Sequence, residues 1–144
     1  MIINSFILCG GATFTDIGTV DIKDAGILDA TVPVADDWQP GQPFGFEVSA
    51  VLFAQHQNTD TAEQPYVTVH LRSDTPESGR SVQILLSGWR DGVAGTRFIH
   101  ETFPLQFVLN QEGDYLVTVH PEGMDNETAA AVYPLRVSVL KSGS

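Results

Sequence analysis

The stretch Tyr66-Val67-Thr68-Val69-His70-Leu71-Arg72-Ser73-Asp74 decides the fold class. Val67, Val69 and Leu71 alternate with Thr68, His70 and Arg72. Successive side chains of an extended chain point to opposite faces, so this period of two reads as a strand with one buried and one solvated face. The same reading extends in both directions. Phe44 to Ala54 sets Phe44, Phe46, Val48, Ala50 and Leu52 against Gly45, Glu47 and Ser49, and its last part adds Val51 and Phe53 to that second face. Arg80 to Trp89 turns Val82, Ile84 and Leu86 inward, and Gly113 to His120 and Val132 to Leu140 alternate likewise. Ile2 to Cys9 is apolar on both faces, as in a strand covered on both sides. Thr19 to Ile22 and Gly26 to Val32 are shorter strands, and Arg97 to Leu109 is a long one. Pro104 gives that long segment an edge position or a bend, because proline cannot donate to a central ladder.

Breakers separate these runs. The segment at 33–43 (PVADDWQPGQP), the polar run at 55–64 and the Gly-rich turn from Arg90 to Gly95 are loops. Glu127 to Ala131 has room for one helical turn, and Pro134 stops it from extending. Sustained helical periodicity is missing. The expected architecture is therefore one all-β domain over 1–144, an antiparallel two-sheet sandwich of immunoglobulin-like or jelly-roll-like type with eight to ten strands. Glu112-Gly113-Asp114-Tyr115 before Val117 and Val119 matches the turn-then-tyrosine corner of immunoglobulin-like strands, where the hydroxyl ties to upstream backbone.

The opening FILCGGATFTDIGTVDIKDAGI (6–27), with FPLQFVL (103–109), GDYLVTV (113–119) and YPLRVSV (133–139), resembles a family of small, uncharacterised bacterial β-sandwich proteins. Gly10-Gly11 stands where that family usually has an acidic residue, and Thr19 where it usually has lysine. The resemblance implies the sandwich fold and carries no activity to transfer.

Composition narrows the partners. The 144 residues carry 18 acids against 7 bases, a net charge of −11. Nucleic-acid affinity depends on Lys and Arg neutralising phosphates, so nucleic acid is excluded as the favoured partner, and anionic membrane surfaces with it. The charge is uneven. Residues 1–71 hold nine acids and one base, while all five arginines lie in 72–144. That asymmetry suits a protomer with an acidic end and a more neutral end. A single cysteine, Cys9, leaves no intramolecular disulfide, and no run approaches the roughly 18 apolar residues of a membrane helix. The expected location is the cytoplasm.

Few residues suggest chemistry. Val-Thr-Val-His occurs at 67–70 and again at 117–120, so neighbouring strands would bring His70 and His120 onto one face. A zinc or nickel site would still need a third ligand from His100, His56 or a carboxylate, and the expectation is no metal and no cofactor. Asp36-Asp37 and Asp125-Asn126-Glu127 lack the spacing of a calcium loop. No nucleophile elbow, phosphate loop or dinucleotide fingerprint exists, and Cys9 sits in an apolar strand, so no catalytic residue is assigned. Trp38 and Trp89, the latter beside Arg90, are the candidate platforms for a carbohydrate or small ligand.

Protein association has the broadest support. Ile3, Ile7, Val51, Phe53, Leu85 and Trp89 fall on faces that a monomeric sandwich would leave polar. Either the N-terminal hairpin or a second copy must cover them. The expected function is a non-enzymatic interaction or structural accessory module that binds another protein or itself. A ligand-binding module or a phage or virion component is the alternative.

Overall fold

A computed structural model describes residues 1–15, 19–57, 64–74, 79–121 and 131–142. Eleven strands are present among them: β1 Ile2–Cys9, β2 Gly11–Phe14, β3 Val20–Lys23, β4 Asp29–Val34, β5 Phe44–Gln55, β6 Tyr66–Ser73, β7 Arg80–Leu85, β8 Arg90–Asp91, β9 Arg97–Leu109, β10 Gly113–Pro121 and β11 Ala131–Lys141. They form a four-stranded sheet ordered β1-β5-β9-β8, a five-stranded sheet ordered β4-β11-β10-β6-β7, and a separate β2-β3 hairpin. The protein is all-β, with three sheets among the described residues.

One buried cluster joins the two larger sheets. Phe6, Leu8, Phe44, Phe46, Leu52, Ile99, Leu105 and Leu109 enter it from the four-stranded sheet. Val67, Val69, Leu71, Tyr115, Val117, Val119, Leu135 and Val137 enter it from the five-stranded one. Every second residue along β5, β6 and β10 points into this core, as the alternation requires. Full burial of such side chains stabilises by about 1.5–3 kcal/mol each.

Several details depart from the expected pattern. A bulge between Ile3 and Ser5 in β1 inserts one residue and reverses the alternation, so Ile3 packs on the core instead of the opposite face. β4 runs parallel to β11, with Asp29 opposite Arg136 and Val34 opposite Lys141, so the sheet is not antiparallel throughout. The segment read as one strand from Arg80 to Trp89 ends at Leu85, and the chain then crosses to the other sheet, where β8 pairs with Arg97 and Phe98. The strand expected at Thr19 to Ile22 is β3, Val20–Lys23, and it pairs with β2, a strand not expected from the sequence.

Pro104 does lie at an edge. β9 is flanked by β5 along its length, while β8 reaches only Arg97 and Phe98 on the other side. At Pro104 β9 therefore has a ladder neighbour on one side alone, the setting in which strands tolerate proline. At the start of β10, Gly113 takes a φ of +143°, and the Tyr115 hydroxyl donates to the carbonyl of Gln111 at 2.5 Å. This is the hydroxyl-to-backbone tie expected of a tyrosine corner. Burial raises the Tyr115 pKa, which keeps the hydroxyl protonated as a donor. The helical turn expected at 127–131 falls largely outside the described residues.

Candidate functional site

The two larger sheets each turn one face away from the core, and the two faces differ. On the four-stranded sheet, the outward positions of β5 include Val51 and Phe53, opposite Ile7 and Ser5 of β1. Val51 is only 3% exposed although it points away from the core. The β2-β3 hairpin explains this, because β2 lies against β5. Its Phe14 meets the His100 ring edge-on at 5.0 Å, and His100 meets Phe53 edge-on at 5.5 Å. Gly10 makes the fold-back possible: its N–H donates to Lys23 O at 2.8 Å, and a Cβ there would sit 2.9 Å from the Asp24 carboxylate. Of the two covers open to the sequence, the chain's own hairpin fills the role. Val51 is therefore not a free interface residue, and Phe53 is half-buried among aromatic rings. Cys9 is a buried free thiol on this same face.

The outer face of the five-stranded sheet carries exposed apolar side chains, although Thr118 and His120 on it are buried. Leu85 on β7 is 61% exposed, Val132 on β11 57% and Leu116 on β10 40%. Register places Leu116 opposite Pro134 and Thr118 opposite Val132, which makes a short apolar strip across β10 and β11. Arg136 on β11 donates to Asp114 at 2.8 Å, with Asp29 on β4 alongside. That guanidinium holds the Asp114 carboxyl below the usual range, and the carboxylate raises the Arg136 pKa in turn. Leu28, Asp29, Asp114, Pro134 and Arg136 border an open depression of about 460 Å³. The paired strands of this face carry Asp29 and Asp114 against Arg72 and Arg136, so it is electrically balanced in a chain of charge −11.

In the middle of this face the two Val-Thr-Val-His runs meet. β6 and β10 are antiparallel neighbours, with His70 opposite Thr118 and His120 opposite Thr68. The two imidazoles stand at right angles with centroids 4.7 Å apart. His70 is half-buried, whereas His120 and Thr118 are each 3% exposed. Thr118 Oγ1 lies 3.0 Å from His120 Nε2, while His120 Nδ1 is buried with no hydrogen-bond partner among the described residues. Burial lowers the pKa of both rings; for His70 the neighbouring His120 and Arg72 add to the effect, and for His120 Arg72 does. Both shifts favour the neutral imidazole.

The remaining candidates do not join this pair. His100 belongs to the covered face, and His56 stacks edge-on against Trp89 at 4.8 Å. Among the described residues no three His, Cys, Asp or Glu side chains cluster as a metal site would require. Asp36 accepts a hydrogen bond from Ser142 and Asp37 is exposed, while the second acidic loop, Asp125-Asn126-Glu127, lies outside the described residues. Trp38 is not a stacking platform: it is buried, meets Phe44 edge-on at 5.8 Å and donates from Nε1 to the Gln42 carbonyl. Trp89 is half-buried against the core with its Nε1 unpartnered, and Arg90 is exposed on β8.

No protein-family model matches this chain, and no curated protein matches it. No helix among the described residues is long and apolar enough to cross a membrane.

Proposed function

We propose that this chain is a non-enzymatic interaction module that associates with a second copy of itself through the outer face of its five-stranded sheet. The observation that carries the reading is the exposure of Leu85, Val132 and Leu116 there, against the burial of Val51 on the other outward face. Apolar side chains left in water by the monomer are stabilised when a second surface covers them. Charge favours a copy as the occupant. Two chains of −11 repel wherever their acidic loops meet, and the balanced set of Asp29, Asp114, Arg72 and Arg136 removes that repulsion from this face. A two-fold contact would place the same strip on both sides.

The finer fold reading belongs to the same proposal. The single core shared by the two larger sheets and the Tyr115 tie support a two-layer sandwich of immunoglobulin-like type. The resemblance to small bacterial β-sandwich proteins agrees with that reading.

Sedimentation velocity across a concentration series tests the association. A dimer that dissociates in Leu85→Asp and in Val132→Asp, and that tightens as salt screens the net charge, is the expected result. A strict monomer at the highest concentrations rejects self-association. So does a dimer indifferent to both substitutions.

A further inference from the structure

The sheets of this protein end in edges that are unequally guarded. An edge strand offers a row of free N–H and C=O groups to any other strand, and proteins guard such rows with proline, charge, bulges or a covering segment. β4 carries Asp29 and Pro33, and β8 is two residues long. β1 has its bulge at Ile3/Ser5, and its Leu8 carbonyl accepts from the N–H groups of Gly26 and Ile27. β9 holds Pro104 beyond the reach of β8, and its Val108 carbonyl accepts from Arg80 Nε at 2.9 Å. β7 is different. After Arg80 it reads Ser-Val-Gln-Ile-Leu, with no charge, no proline and an unbroken register against β6.

One bond gives the direction of its backbone groups. The Leu86 N–H donates to the Pro65 carbonyl at 2.9 Å, so these two residues form a hydrogen-bonded pair. Such pairs alternate along an antiparallel ladder. Ile84 and Val82 therefore turn their N–H and C=O toward β6, while Leu85, Gln83 and Ser81 turn theirs away. Among the described residues no other strand pairs with that row. Ser81, Gln83 and Leu85 are exposed, and the inward Val82 and Ile84 are only half-buried, whereas Val67 and Val69 opposite them on β6 are fully buried.

We propose that β7 pairs edge to edge with β7 of a second copy, antiparallel about a two-fold axis at Gln83, so that two five-stranded sheets become one continuous sheet. The register is self-complementary: Gln83 meets Gln83, Ser81 meets Leu85 and Val82 meets Ile84. The half-buried Val82 and Ile84 of each copy then cover one another. Charge favours a copy as the occupant, because chains of −11 repel and this strand brings no acid against an acid. The outward residues of the two strands exchange about six backbone hydrogen bonds in that register. Each replaces bonds to water and adds little, so the seam is weak and forms at high protein concentration. It goes beyond the face contact proposed above, since it uses neither Leu116 nor Val132 and joins face-paired dimers to one another.

Disulfide trapping tests the seam. A two-fold pairing holds the two Gln83 Cα atoms about 5.5 Å apart, within disulfide range. Gln83→Cys should therefore cross-link to a dimer about tenfold faster than Thr31→Cys, a control at an exposed site on the guarded edge strand β4. Cys9 is buried, so the parent chain gives the blank. Ser81→Pro added to Gln83→Cys should return the rate to that of the control, because it removes an N–H of the seam and none of the bonds to β6. Val132→Asp added to Gln83→Cys should leave the cross-link in place. Its loss there overturns the proposal, since Gln83 would then only lie near the face contact. Failure of the face contact itself is read separately, in unchanged sedimentation of Val132→Asp. Hydrogen exchange in Val132→Asp needs no proline: the amides of Ser81, Gln83 and Leu85 should slow as protein concentration rises, and that of Thr31 should not. Gln83→Cys cross-linking no faster than Thr31→Cys, or exchange at those three amides indifferent to concentration, overturns the edge contact.

Discussion

The two outward faces of this protein solve one problem in opposite ways. Both carry apolar side chains on the side of a sheet that points away from the core. The four-stranded sheet covers its own with the β2-β3 hairpin, bringing Val51 to 3% exposure, while the five-stranded sheet leaves Leu85 at 61%. A second-face apolar residue is thus not evidence of an interface until the chain's own elements have been placed over it. The first face is a second, smaller core; the second leaves Leu85, Val132 and Leu116 in water while burying Thr118 and His120.

Substituting the covered face has the largest expected effect. Val51→Asp buries a carboxylate beneath the hairpin with nothing to pair it, and urea denaturation should report a loss of about 3 kcal/mol or more. A loss below about 1 kcal/mol would mean that the hairpin lifts away readily and that the two faces are alike. Phe14→Ala probes the cover itself. It removes the edge-on contact with His100 and should cost about 1 kcal/mol.

Acid should act on the open face. The folded values of His70 and His120 lie below the ordinary 6.5, so the unfolded chain takes up protons more readily than the folded one. This contribution to stability is complete above 6.5 and is lost as the pH falls through the lowered folded values. Urea midpoints taken at falling pH should decline less in His70→Gln than in the parent. Equal declines would place the acid sensitivity elsewhere. The smallest effect belongs to Leu85→Asp, which should change monomer stability by no more than about 0.5 kcal/mol, since its side chain is mostly in water. A large loss there would erase the contrast between the faces.

The strands were legible because alternation is local. The inward sets on β5, β6 and β10 follow from period two, and the tyrosine corner from four consecutive residues. The bulge at Ile3/Ser5 was not legible, since one inserted residue leaves no mark in composition. Neither was the parallel β4-β11 pair, because strand direction depends on how intervening segments route.

The candidate site divides along the same line. The repeated Val-Thr-Val-His motif marked two histidines on outward positions, but only the β6-β10 register makes them neighbours. Trp38 shows the reverse case. Its Pro-rich surroundings suggested exposure, and the turn folds the indole inward to Phe44 and Gln42.

What the sequence alone determined is the all-β class, the inward face of most strands and the negative charge, since each is a property of neighbouring residues or of their sum. Tertiary structure alone decided which apolar face is covered, which strands lie side by side and which polar atom is left unpartnered. Those depend on contacts between segments far apart in the chain, such as β2 on β5 and β6 on β10. Alternation fixes a direction for each side chain, and only packing determines what it meets there.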